Sequence, residues 1–213
     1  MDKSFARALA AVLASALAGC ASRLPPPAPP APLFVESASS YTPPPLDKAQ
    51  VVFLAPSATP AAAAANAIFE IDGGQRTLLA ALAAHGGSIQ SLPPGHHVLM
   101  AYGRAGHLIE AELEGGARYY VLLRPLDADD LQPLPVQRRE GAAARVDSPD
   151  FYDWDANTTL VDKTAAADAW FSARAAQVDA AQAAAQSAWQ RKTPQERAAL
   201  TLTADDAVLR QGH

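Results

Sequence analysis

The chain reads as mainly β with a C-terminal α part. The expected architecture is a small antiparallel β-sandwich of about seven strands, then a long Ala-rich helix and a short terminal helix. Between Gln50 and Pro125, short apolar runs alternate with turn signals about every eight to twelve residues, the rhythm of a sandwich or barrel. Within two runs the alternation is strict. Ala67, Phe69 and Ile71 oppose Glu70 and Asp72, and Ile109, Ala111 and Leu113 oppose Glu110, Glu112 and Glu114. Period two with one charged face marks a strand with one side on a core and one in water. From residue 164 to 191 the chain is rich in Ala and Gln and holds no Gly or Pro, a composition with high helix propensity.

Residues 1–20 read MDKSFARALAAVLASALAGC. Lys3 and Arg7 make a basic start, and residues 8–18 are an apolar stretch. That stretch matches a signal-peptide core and is short of the about 20 residues that cross a bilayer. It ends in Leu17, Ala18, Gly19 and Cys20. This segment resembles the lipobox of bacterial lipoproteins. The resemblance implies a diacylglycerol on the Cys20 thiol, cleavage after residue 19 and often acylation of the new amine. Cys20 is the one cysteine of the chain, so no intramolecular disulfide can form. Two or three acyl chains hold a protein almost permanently, at about 0.8 kcal/mol per buried methylene. A plain secretory signal with a chance cysteine is the rival reading. Ala21 follows the cysteine, where an aspartate would resemble an inner-membrane retention signal. The resemblance therefore points to the outer membrane, facing the periplasm.

Residues 20–47 form the lipidated N-terminus and a proline-rich tether. Nine prolines fall in residues 21–47. Proline fixes φ and lacks the N–H that helices and central strands need, so an extended, semi-rigid spacer of roughly 80 Å is expected. A Pro-rich ligand for a partner domain is the alternative.

The β domain is placed at residues 48–126. Its runs are 50–55, 66–72, 75–82, 88–92, 96–103, 107–114 and 117–124. Asp72-Gly73-Gly74 supplies the positive φ of a tight hairpin, and Gly86-Gly87, Pro93-Pro94-Gly95, Gly103 to Gly106 and Gly115-Gly116 punctuate the others. The last run is apolar on both faces, as in a central strand. Ala61 to Ala65 reads as a loop or a single helical turn. Pro94-Gly95-His96 before a strand, with Gly116-Ala117-Arg118-Tyr119-Tyr120 opening the last one, is similar to small PEGA-like β-sandwich domains of bacterial lipoproteins. That likeness covers about residues 48–126 and departs from the motif itself at Pro93-Pro94-Gly95-His96. It implies a fold and an envelope setting, and no catalytic residue.

Residues 127–163 read as an irregular connector, with an acidic patch of Asp127, Asp129 and Asp130 and a basic one of Arg138, Arg139 and Arg145. Residues 164–213 read as a helical appendage. Phe171, Arg174, Val178, Ala181, Ala185 and Trp189 recur at three- and four-residue spacings, giving a stripe that packs on the β domain or on the short helix. A coiled-coil partner is the weaker reading, since the stripe is mainly alanine and about four heptads long. Thr193, Pro194 and Glu196 announce a helix start over residues 194–200, and Thr203 to Asp206 a last turn.

The chemistry-bearing residues are few. His96 and His97 alternate to opposite faces of a strand, His107 and Glu110 do likewise, and HExxH is absent, so no metal site is expected. Asp153, Asp155 and Asn157 have the opening spacing of a calcium loop, but Thr158 and Thr164 stand where that loop wants Gly and Glu. A solvated loop with Phe151 and Trp154 on the domain is the better reading. GxSxG, SxxK and a phosphate loop are absent, and the cysteine is committed to the anchor. No catalytic residue, cofactor or enzyme activity is expected. The formal charge of −5 becomes −6 once Asp2, Lys3 and Arg7 leave with residues 1–19, which disfavours nucleic acid. The expected function is a lipid-anchored envelope protein, structural or contacting an envelope partner. The alternative is a module for carbohydrate or cell-wall ligands, with Tyr102, Tyr119, Tyr120, Tyr152 and Trp154 as candidate aromatics and Tyr152 and Trp154 the foremost.

Overall fold

The apolar runs of the sequence become strands, joined by shorter ones from the flanking segments. The computed structural model describes residues 31–56, 66–126 and 130–210. The signal peptide, the lipobox, Cys20, Ala61 to Ala65, Asp127 and Asp129 lie outside the described residues. In chain order come β1 (Phe34–Glu36), β2 (Ala49–Leu54), β3 (Asn66–Asp72), β4 (Gln75–Leu82), β5 (Gly86–Leu92) and β6 (Gly95–Tyr102). Then follow β7 (Gly106–Leu113), β8 (Ala117–Pro125), β9 (Leu131–Pro135), α1 (Pro149–Ala156) and β10 (Thr159–Lys163). The end of the chain holds α2 (Ala165–Ser172), α3 (Ala175–Gln190), α4 (Pro194–Ala198), β11 (Thr201–Leu202), a 3₁₀ turn (Ala204–Asp206) and β12 (Leu209–Arg210).

The tight β3–β4 hairpin turns on Gly73 and Gly74, both at positive φ (54° and 88°), a backbone that residues with a side chain rarely adopt. β6 and β7 form a second hairpin in the same sheet, whereas the β4–β5, β5–β6 and β7–β8 connections cross between sheets. The larger sheet has seven strands in the order β1-β10-β5-β2-β8-β12, with β9 also on β8, and the smaller has five in the order β11-β7-β6-β3-β4. Both are mixed, which corrects the expected antiparallel sandwich of seven strands. β2 runs parallel to β8, β10 to β5 and β11 to β7. Alternation reports which face is buried, not the direction of the neighbour. Between β2 and β8 the chain builds β3, β4, β6 and β7 of the smaller sheet and adds β5 on the other side of β2, so two distant strands meet side by side.

The additional strands come from segments that gave no strand signal. β1 arises within the proline-rich stretch. β9 and β10 arise, with α1, in the stretch read as irregular. β9 is Leu-Gln-Pro-Leu-Pro, and proline is tolerated there because β9 pairs only with β8. The described residues from Pro32 onward form one compact unit.

Both sheets contribute to one core. Val51, Phe53, Tyr119, Val121 and Leu123 of the larger sheet, and Ile68, Leu99, Met100 and Ile109 of the smaller, are 0–1% exposed and belong to a single cluster. Each such side chain contributes about 1.5–3 kcal/mol by leaving water.

The expected long helix is two helices, α2 and α3, separated at Ala173 and Arg174. No Gly or Pro marks the break. There the Arg174 guanidinium lies 3.6 Å from the centre of the Trp170 ring, and Phe171 meets Phe69 and Tyr102 edge-on at 5.6 and 6.2 Å. The α3 stripe turns inward at Val178, Gln182, Ala185 and Trp189 and packs against β7 and β6. α4 carries the expected capping box: Thr193 Oγ1 accepts from the Glu196 amide, and Glu196 Oε2 accepts from the Thr193 amide. Among the described residues no helix is long and apolar enough to cross a membrane.

Candidate functional site

The residues after β1 stay on the protein. From Ser37 to Asp47 the chain runs as a strap from β10, past the end of α1, to the start of β8. Ser37 Oγ donates to Asp162 at 2.7 Å. Tyr41 Oη donates to Asp155 Oδ1 at 2.6 Å. The Thr42 carbonyl accepts from Arg118 Nη2, and the Pro45 carbonyl accepts from the Gly116 amide at 3.1 Å. At the far end the fit is tight: a Cβ on Gly115 would stand 2.1 Å from the Leu46 carbonyl oxygen. Only glycine lets the strap and the β7–β8 turn approach so closely.

At the centre of this face is Arg118, 7% exposed. The parallel register of β2 and β8 sets Gln50 beside it, and Gln50 Oε1 accepts from both Nε (3.0 Å) and Nη2 (2.7 Å). Its guanidinium also lies 5.1 Å from the centre of the Tyr41 ring. Among the described residues Arg118 has no carboxylate ion pair at contact distance. A buried charge is tolerated only when hydrogen-bonded, and here an amide, a backbone carbonyl and a ring face supply the contacts.

Two phenols are shifted by this setting. Burial, and then the hydrogen bond to Asp155, hold the Tyr41 hydroxyl far above the usual phenol range, with Arg118 opposing weakly. Tyr120 is raised by burial and by the Asp155 charge, again against Arg118. A phenol held protonated donates a hydrogen bond and does not act as a base at neutral pH. Chemically the arrangement is a lock on the strap.

The foremost aromatics are on α1. Tyr152 is 66% exposed, and Trp154 is half-buried against the core. Helix positions two apart do not share a face, so these rings form no common platform. Tyr102, Tyr119 and Tyr120 are 8%, 0% and 5% exposed and pack in the core. The spacing Asp153, Asp155, Asn157 lies on α1 and its cap, not in a loop. Asn157 Nδ2 donates to the Asp153 carbonyl at 2.8 Å, and Asp155 is taken by Tyr41. The helix wins because Ser148 caps it, accepting from the Phe151 amide at 3.2 Å, and Pro149 stands at its first turn. Ser148-Pro149-Asp150 was the signal that could have found it.

The histidines separate as expected. His96 pairs with Glu112 at 2.7 Å in solvent, while His97, 8% exposed, meets Glu70 at 2.6 Å and the Pro93 carbonyl at 2.8 Å. Among the described residues no three His, Cys, Asp or Glu side chains converge as metal ligands. Neither Arg118 nor Tyr41 was singled out by the sequence. A lone arginine in an apolar strand was the only mark. No family model matches this chain, and no curated protein does.

Proposed function

We propose that the chain is a lipid-anchored protein of the cell envelope. It acts as a structural or protein-interaction module without catalysis, held by lipid on Cys20 behind Leu17, Ala18 and Gly19. The outer membrane, facing the periplasm, is the proposed location, and a small PEGA-like likeness fits the same setting. The observation that carries the reading is the sequence Leu17-Ala18-Gly19-Cys20 behind a basic start and an apolar stretch. Part of the expected spacer is packed on the domain instead: the Pro32 carbonyl accepts from Thr164 Oγ1 at 2.6 Å, β1 pairs with β10 and Arg118 grips Thr42. The spacer left between Cys20 and Pro32 is residues 21–31. Fully extended it reaches roughly 40 Å, about half the reach expected when the whole stretch to residue 47 is counted.

The decisive experiment replaces Cys20 with serine and compares membrane fractionation and intact mass with the parent. The parent is expected in the membrane with an acylated residue 20, and C20S soluble or unprocessed; identical behaviour of the two would remove the anchor. Crosslinking in intact cells then tests the partner, and recovery of monomer alone counts against an interaction role. A glycan-binding reading has only Tyr152 left to stand on.

A further inference from the structure

A cavity of about 80 Å³ lies where the end of α3 crosses β7 and β9. His107, Leu108, Gln132, Trp189, Lys192 and Leu200 are among its walls, and no acidic side chain lines it. Two of its polar side chains, Lys192 and Trp189, can only donate, while His107 and Gln132 can each both donate and accept. Behind the wall, Asp130 is 5% exposed, and both of its oxygens are engaged: one accepts the Ala105 amide at 3.2 Å, the other meets His107 Nε2 at 3.1 Å. That contact fixes the imidazole in place through Nε2, and in the neutral ring Nδ1 is then an acceptor. Gln132 Oε1 accepts from Arg124 at 2.6 Å. Arginine can only donate, so the Arg124 contact fixes which end of the Gln132 amide is oxygen, and its NH₂ group is free to donate alongside one remaining lone pair on Oε1. Lys192 makes no ion pair within contact distance among the described residues, its charge acting at longer range on Glu196, and the Trp189 indole nitrogen can only donate. Leu108, Leu200 and the Trp189 ring supply apolar surface opposite.

We propose that this cavity binds a small carboxylate, its anionic head on Lys192 and Gln132 and its short aliphatic body against Leu108, Leu200 and Trp189. A cavity of about 150 Å³ accommodates benzene, so roughly half that volume limits the ligand to about four to six non-hydrogen atoms. A pocket that pairs apolar walls with a few placed polar groups is the usual form of a small-molecule site.

The test titrates the full chain, purified in detergent, with millimolar propionate, propionamide and phosphate while recording amide and indole NMR signals. Propionate is expected to give saturable shifts at Gly106 and the Trp189 indole, and the neutral amide of the same shape to bind at least tenfold more weakly. Lys192→Met should weaken propionate at least tenfold and leave propionamide unchanged. Ala188→Leu, which narrows the cavity, should abolish binding of both, with an unchanged thermal midpoint confirming the fold. Equal binding of acid and amide would reduce the site to an apolar void. Equal binding of phosphate would reduce it to a non-selective anion patch. Absence of saturable shifts, or indifference to Lys192→Met, would overturn the assignment outright.

Discussion

The outer layers over the two sheets are built from different chemistry. Over the smaller sheet the cover is apolar: Phe69, Tyr102 and Phe171 meet edge to face, and Val178, Ala185 and Trp189 of α3 lie on β7 and β6. Over the larger sheet the cover is polar at its centre. The strap is held by Arg118, Gln50, Tyr41 and Asp155, each through a particular atom. Apolar burial is non-directional, so the helical cover gains stability from area and tolerates small shifts. A desolvated guanidinium needs all its acceptors, so the strap gains one defined position and little net energy. One cover provides stability, and the other provides register.

The sharpest way to break that contrast is Phe171→Ala. It empties the centre of an aromatic triad and should cost about 3–5 kcal/mol in urea unfolding. A loss under about 1 kcal/mol would mean that the helical cover contributes little. On the polar side, removing a partner should cost more than removing the charge. Gln50→Leu leaves the guanidinium short of its acceptor and should lose about 2 kcal/mol, while Arg118→Met, an apolar side chain of similar length, should lose less. The reverse order would show the guanidinium to be a net source of stability. The smallest effect is that of the phenols, and it shows only as a change of stability above pH 10. Tyr41 and Tyr120 have folded-state values raised above the unfolded value of 10.0. Both states are then protonated below pH 10, and the stabilising preference of the native state for the neutral phenol is present in full. Above pH 10 the unfolded chain ionises first, and stability falls as pH rises toward the folded-state values. Phenolate absorbance should show Tyr41 and Tyr120 ionising above the usual phenol range, and Tyr41→Phe should flatten the alkaline loss of stability. Loss of the Tyr41 and Tyr120 protons near pH 10 in the native protein would contradict the lock.

What was legible in the sequence was whatever repeats locally. Alternation and glycine punctuation located the strands from β2 to β8, with β3 and β4 at their full bounds. The three- and four-residue spacing located the buried face of α3, and Thr193-Pro194-Gln195-Glu196 located α4. Pairing direction was not legible, because the parallel partners of β2 and β8 lie in different parts of the chain and periodicity is blind to them. β1, β9 and β10 have three to five residues each, too few to show a period, and two of the five in β9 are proline. The break between α2 and α3 has no Gly or Pro to announce it, and Trp170 and Phe171 pack just before it. The strap was hidden for a further reason. Tyr41, Arg118 and Asp155 are single polar residues at distant positions, and a specific polar contact leaves no pattern in either segment that makes it.

The sequence separations across the strap also bear on when it can form. Thr42 meets Arg118 across 76 positions, Tyr41 meets Asp155 across 114, and Pro32 meets Thr164 across 132. During synthesis none of these partners exists until β8, α1 and β10 have been made in turn. Each closes a long loop whose entropy is lost before its contact is gained, and such non-local closures are slow. Residues 32–47 are therefore among the first of the described residues to be translated and among the last to find their place.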